Sequence, residues 1–171
     1  MSSNCPLKIF FITGLIIPLL IFSCKTNAET MDKAPNFSLN DLSGNKVSLK
    51  EYRGYVVLLD FWATWCLPCR VSIPELIEIQ KKYKDKKLVI LGLSLDDPRN
   101  VTDQDLSSFK KEFKINYTIL RADEYTIRKY FGAGNFSIPT LFVVNQEGRI
   151  VDMHGGFIPG AVEKSLQKLF K

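Results

Sequence analysis

The stretch VVLLDFWATWCLPC, Val56 to Cys69, decides how the rest of the chain is read. Its first half is apolar on both alternating faces except at Asp60, the pattern of a strand buried on both sides. Its second half sets two cysteines three residues apart where the strand gives way to a helix. That helix, Pro68 to Tyr83, carries Ile73, Leu76, Ile77 and Ile79 on one face. Cysteines so spaced at a helix start can close a disulfide, and the N-terminal helix dipole stabilises a thiolate on Cys66. Cys66 would attack a substrate disulfide, and Cys69, one turn further in, would resolve the mixed disulfide. A purely structural disulfide or half of a zinc site is the alternative. Zinc needs about four ligands, and the other candidates are only His154 and Cys24, so neither a metal nor any cofactor beyond the cysteine pair is expected.

Asp60 is the second chemical signal. Keeping a carboxylate ionised in a two-faced apolar strand costs several kcal/mol, so burial should raise its pKa and leave it poised to exchange a proton. An aspartate exposed at a strand end is the competing reading.

Working outward, Leu88 to Leu95 reads as a second buried strand. A polar helix follows at Asp103 to Phe113, then a strand at Tyr117 to Leu120 and a helix at Glu124 to Phe131. Thr140 to Asn145 and Arg149 to His154 flank Gln146-Glu147-Gly148 as a hairpin, and Gly160 to Phe170 closes the chain as an amphipathic helix. Upstream, Asn36 to Leu39 and Lys46 to Leu49 form a hairpin about the turn-rich Asp41 to Asn45. Strands alternating with helices predict an α/β fold whose sheet is parallel at its centre with one antiparallel edge.

The N-terminus reads as a targeting segment. Lys8 precedes an apolar run from Ile9 to Phe22, broken only by Thr13, Gly14 and Pro18. The run falls short of the roughly 20 apolar residues a membrane span requires. Residues 1–23 are therefore expected to be a signal peptide, 24–33 a tether and 34–171 the domain. Ser23-Cys24 resembles a bacterial lipobox, which makes Cys24 the candidate lipidation site and the lipid the link to a membrane. Cleavage after Ala28, releasing a soluble protein, and an uncleaved anchor are the alternatives. The expected location is the bacterial cell envelope or periplasm, an oxidising compartment.

Composition narrows the classes. A chain of 171 residues is one domain, and 46% hydrophobic with 24% charged residues is ordinary for a globular protein. The net charge of +5 comes from lysines interleaved with carboxylates, as in Lys84-Asp85-Lys86, so nucleic acid is not an expected partner. Four cysteines are too few for a disulfide-stapled mini-domain. Gly132-Ala133-Gly134 fails as a dinucleotide loop, because residue 137 is serine and the segment follows a helix. Asp96, Asp97, Asp103 and Asp105 read as caps and solvated loop, and Lys81 to Lys87 as a solvated helix end. His154 is the sole histidine, and no GxSxG elbow accompanies it.

Val56 to Cys69 resembles the active-site stretch of the thioredoxin superfamily. Ala34-Pro35-Asn36-Phe37-Ser38-Leu39, Asp41-Leu42-Ser43-Gly44 and Tyr52-Arg53-Gly54 resemble, more narrowly, the exported TlpA and ResA type, and the likeness runs over about residues 34–170. It implies a thioredoxin fold, a central mixed β-sheet flanked by helices, with an added N-terminal hairpin and a central insert at Asp97 to Asn116. It also implies that Cys66 attacks, Cys69 resolves and Asp60 is the buried base. An X-Pro bond is cis in only about 5 to 6% of cases, yet the resemblance implies a cis Pro139 opposite the cysteines. Ile138 would then pair with a bound substrate strand by β-augmentation. Trp65, Leu67 and Pro68 would border the substrate, and Trp62 would either join them or belong to the core. Where ResA-like reductases carry a glutamate three residues after the second cysteine, this chain has Ser72, and Glu75 is offset by nearly a helical turn.

The function so implied is a membrane-tethered thiol:disulfide reductase, monomeric, acting on disulfide-bearing exported proteins, including apocytochrome c, and recharged by a membrane thiol donor. Apolar Ile138 tilts the reading toward reduction over disulfide oxidation or isomerisation. A peroxiredoxin-like peroxidase would need a threonine three residues before the attacking cysteine, where Ala63 stands, with Thr64 one place off. A non-catalytic docking module is disfavoured by the intact cysteine pair.

Overall fold

A computed structural model describes residues 33–170. The segment expected to be a signal peptide (1–23), the expected tether (24–33) as far as residue 32, and the candidate lipidation site Cys24 lie outside the described residues. A two-stranded hairpin, β1 (Ser38–Asn40) and β2 (Lys46–Ser48), is followed by the central strand β3 (Val56–Trp62) and the long helix α1 (Leu67–Tyr83). Then come β4 (Leu88–Ser94), α2 (Asp103–Glu112), β5 (Thr118–Arg121), α3 (Glu124–Phe131), β6 (Thr140–Val144), β7 (Ile150–Gly155) and α4 (Ala161–Leu169). The five-stranded sheet has the order β5-β4-β3-β6-β7. β5, β4 and β3 run parallel, whereas β6 and β7 are antiparallel to their neighbours. The antiparallel part is thus two strands wide, and β3 stands where the two halves join.

All seven residues of β3 are buried, because both faces of the sheet are covered. Val56, Leu58 and Trp62 point to one face, packed against Ile73 and Leu76 of α1, Leu106 and Phe109 of α2 and Leu166 of α4. Val57, Leu59 and Phe61 point to the other. There the Phe61 ring meets Tyr130 and Phe131 of α3 at 5.2 and 4.9 Å, and the hairpin adds Phe37, Leu39 and Leu49. The hairpin residues flagged by the sequence therefore cover sheet surface that would otherwise face water.

Two turns of 3-10 helix, Leu49–Tyr52 and Lys84–Lys86, join these elements. The first is fixed by a capping box: Ser48 N–H donates to Glu51. In α2 the Thr102 hydroxyl takes the Asp105 N–H and the Asp105 carboxylate takes the Thr102 N–H, while Asp123 Oδ1 caps α3 by accepting from Thr126 N–H at 2.7 Å. Such side-chain caps satisfy amide groups a helix leaves without partners.

Candidate active site

The cysteine pair sits where β3 ends and α1 begins. Cys66 is the N-cap of α1, in extended conformation, with Leu67 and Pro68 as the first helical residues. Pro68 needs no N–H partner there, and its fixed φ suits a first turn. The two sulfurs form a disulfide, Cα to Cα 5.3 Å. Cys66 Sγ also accepts the backbone N–H of Cys69 at 3.2 Å. No acidic side chain occupies the first turn of α1, so the positive end of the helix acts on sulfur alone. Thiolate on Cys66 is the charge state this position favours.

Across from the cysteines, the Ile138-Pro139 peptide bond is cis. Cys66 Sγ lies 3.6 Å from the Ile138 carbonyl oxygen. Register explains the closeness: Phe61, near the end of β3, pairs with Thr140, the first residue of β6. The cysteine loop and the proline loop therefore leave adjacent strands at the same end of the sheet. The Pro139 carbonyl is itself taken by the Gly156 N–H at 2.7 Å. Around the sulfurs, Trp65 and Leu67 are 71% and 69% exposed while Cys66 is 4% exposed, so the nucleophile is recessed among apolar side chains. Pro68 is exposed and Ile138 half-buried.

Asp60 is 1% exposed. It shares the face of β3 with Leu58 and Trp62, the face on which Cys69 is also buried. Its Oδ1 has no protein hydrogen-bond partner, and burial raises its pKa from 3.8 to about 7. The competing reading, an aspartate exposed at a strand end, is excluded. Trp62 belongs to the core and not to the apolar border: it is 1% exposed, with its ring 5.3 Å from that of Phe109.

Asp96 corrects the sequence reading most sharply. Instead of a solvated loop residue it is 4% exposed. Its carboxylate accepts from Thr64 N–H at 3.0 Å, Thr64 Oγ1 at 2.7 Å and Ser94 Oγ at 2.9 Å. It thereby pins the loop between β3 and the cysteines to the end of β4. The alternation of β4 places Ser94 inward, and that was the only signal available. Its neighbours behave as expected of caps and loop: Asp97 holds Arg99, Asp105 caps α2 and Asp103 pairs with Arg121.

Two further residues complete the surroundings. Ser72 is buried, with Oγ donating to the Cys69 carbonyl at 2.8 Å. Glu75 accepts the Gly160 N–H at 3.1 Å, so it anchors the start of α4 and not the redox centre. His154 contacts Ser165 Oγ at 3.1 Å, while Ser165 Oγ donates to Asp152; the serine proton is directed at the aspartate, the wrong arrangement for a nucleophile. Among the described residues no cluster of three or more His, Cys, Asp or Glu side chains is placed to hold a metal ion. No helix among them is long and apolar enough to cross a membrane.

Comparison with known proteins agrees with this geometry. Residues 30–153 match the AhpC/TSA family. The chain is 32% identical over 149 residues to the thiol-disulfide oxidoreductase ResA of Bacillus cereus, covering 86% of this chain and 83% of that one. It is 36% identical over 124 residues to the thioredoxin-like protein YneN of Bacillus subtilis, covering 72% and 70%. A Chlorobium tepidum crystal structure assigned as a thiol:disulfide interchange protein DsbE superposes with a TM-score of 0.71 at 31% identity, covering 82% of this chain and 97% of that one. With its CxxC pair at the head of α1 and its mixed five-stranded sheet, the chain is a thioredoxin-fold thiol-disulfide oxidoreductase of the ResA type and belongs to the AhpC/TSA family.

Proposed function

We propose that this oxidoreductase works in the reducing direction, donating two electrons from the Cys66-Cys69 dithiol to disulfides of exported proteins. The observation that carries this reading is the Cys66 sulfur at the α1 N-terminus, beside the Ile138 carbonyl and on the sheet end next to buried Asp60. The Cys66 thiolate attacks one sulfur of a substrate disulfide, and the other substrate sulfur leaves as a thiol after taking a proton. The Cys69 thiol then loses its proton to the Asp60 carboxylate, and its sulfur attacks Cys66 in the mixed disulfide. The substrate leaves with both sulfurs reduced, and the protein is left with the Cys66–Cys69 disulfide. Substrate backbone aligns along Ile138, with Trp65, Leu67 and Pro68 as its apolar border. The N-terminal segment, lipidated at Cys24, tethers the domain to the membrane, where a thiol donor recharges it; apocytochrome c is one substrate this location would offer.

A peroxidase has less support, because the Thr64 hydroxyl is committed to Asp96 and the expected threonine position is Ala63. The test is insulin reduction by the dithiol form. Wild type is expected to be active, Cys66→Ala inactive, and Cys69→Ala to accumulate mixed disulfides; an inactive, fully reduced wild type refutes the reductase reading. Palmitate labelling that Cys24→Ala abolishes is expected for the tether. A soluble, unlabelled wild type would favour cleavage after Ala28.

A further inference from the structure

Among the described residues, three buried side-chain atoms have no protein hydrogen-bond partner: Asp60 Oδ1, Trp62 Nε1 and Tyr117 Oη. They are not scattered. Asp60 and Trp62 point to the same face of β3, and Gly92 of β4 is the register partner of Asp60. Gly92 in turn pairs with Ile119 of β5, two residues after Tyr117 on the same face. A Cβ placed on Gly92 would lie 3.0 Å from Trp62 Nε1 and 3.1 Å from Tyr117 Cε2. The indole edge and the phenol ring thus meet over the one residue of β4 that has no side chain, beside Asp60.

Their chemistry is complementary. Trp62 Nε1–H and the Tyr117 hydroxyl are donors, and the Asp60 carboxylate is an acceptor. Buried polar atoms in folded proteins nearly always find a partner, in protein or in ordered water, and a buried water makes about three hydrogen bonds. One water accepting from Trp62 and Tyr117 and donating to Asp60 would satisfy all three atoms.

We propose that Tyr117 is a positioning residue of the redox centre: with Trp62 it holds one buried water at the Asp60 side of the ring contact, and through that water it hydrogen-bonds the Asp60 carboxylate. The inference rests on the reading of Asp60 as the base for Cys69. Besides Asp60, the titratable side chains buried in this cluster are Tyr117 and Tyr83, together with Cys66 and Cys69, which are joined as a disulfide; on the α2 side, Phe109 lies between the Trp62 ring and the Arg70 guanidinium. Asp96, past the end of β4, is already engaged by Thr64 and Ser94. Consistent with the geometry, the Tyr117 hydroxyl is raised well above its ordinary value of 10.0, first by burial and then by the Asp60 charge. A neutral donor of this kind stabilises the ionised carboxylate, so it keeps Asp60 able to accept the Cys69 proton near neutral pH.

The test is the titration of the Asp60 carboxyl by 13C NMR in the oxidised full-length protein, wild type against Tyr117→Phe. The variant removes one oxygen and is expected to raise the Asp60 midpoint by about one pH unit, a tenfold change in proton affinity. An unchanged midpoint in a folded variant overturns the proposal. The wild type supplies an independent reading: an NOE from the Trp62 indole proton to a long-lived water is expected, and its absence also overturns the bridge. Insulin turnover measured in the same samples keeps the two readings apart, since a shifted midpoint without turnover would refute the reductase and leave the Tyr117 assignment standing.

Discussion

Asp60→Asn is expected to make the oxidised protein more stable, by an amount that depends on pH. Burial raises the Asp60 pKa from 3.8 to about 7, so the native state binds this proton more tightly than the unfolded chain does. Below pH 3.8 both states hold it and the carboxyl costs nothing in charge. Between pH 3.8 and about 7 the unfolded chain releases the proton while the native protein keeps it. Stability therefore falls with rising pH, by up to about 1.4 kcal/mol per pH unit. Above about pH 7 the loss is complete, at about 4 kcal/mol in total. Asparagine does not titrate, so its own burial cost is a constant offset, and the difference between variant and wild type isolates the Asp60 contribution from that of other carboxylates. Urea unfolding at pH values from 3 to 8.5 measures it. The Tyr117 hydrogen bond would lower the upper edge of the window and trim about 1.4 kcal/mol for each pH unit. A difference constant within about 1 kcal/mol over the whole range would refute the account of Asp60 as a desolvated, titrating carboxyl.

Asp96→Ala should leave Thr64 and Ser94 without their acceptor, destabilise the fold by about 2 to 3 kcal/mol, and lower kcat/KM for disulfide reduction; wild-type turnover in the variant would show that the pinned loop is irrelevant to the sulfur chemistry. Gly92→Ala would press a methyl group against the Trp62 and Tyr117 rings. A loss of about 1 to 3 kcal/mol from overpacking is expected in thermal unfolding, and an unchanged melting temperature would contradict the tight approach.

The strand and helix pattern was legible wherever burial imposed a period. The sequence pattern marks β3 at its true limits because both its faces are covered, and α1 to within one residue because its apolar stripe is long. Short pieces were less visible. The 3-10 turn at Leu49–Tyr52 has no periodicity to detect, although Ser48 and Glu51, three residues apart, carry the sequence signature of its capping box. The pattern puts β5 one residue early because Tyr117 is buried and apolar in character although it precedes the strand. Pro74, inside α1, removes a backbone donor without ending the helix. Of the site, Cys66, Cys69 and Asp60 stand in one continuous stretch. Asp96 lies just past the end of β4, 32 residues from its partner Thr64, and the pairing of β3 with β4 brings the two together; no local pattern could join them.

The pairing of Phe61 with Thr140 sets a gauge for the chemistry. Sulfur and accepting carbonyl hang from two neighbouring strands, so their separation is ruled by the spacing of a hydrogen-bonded ladder and not by the lengths of the loops that carry them. The chain between β3 and β6 can lengthen or shorten at its turns and at the Asp97 to Asn116 segment without recalibrating the instrument. Substrate range is therefore free to drift at the rim, while the separation of the Cys66 sulfur from the Ile138 carbonyl stays set by the sheet.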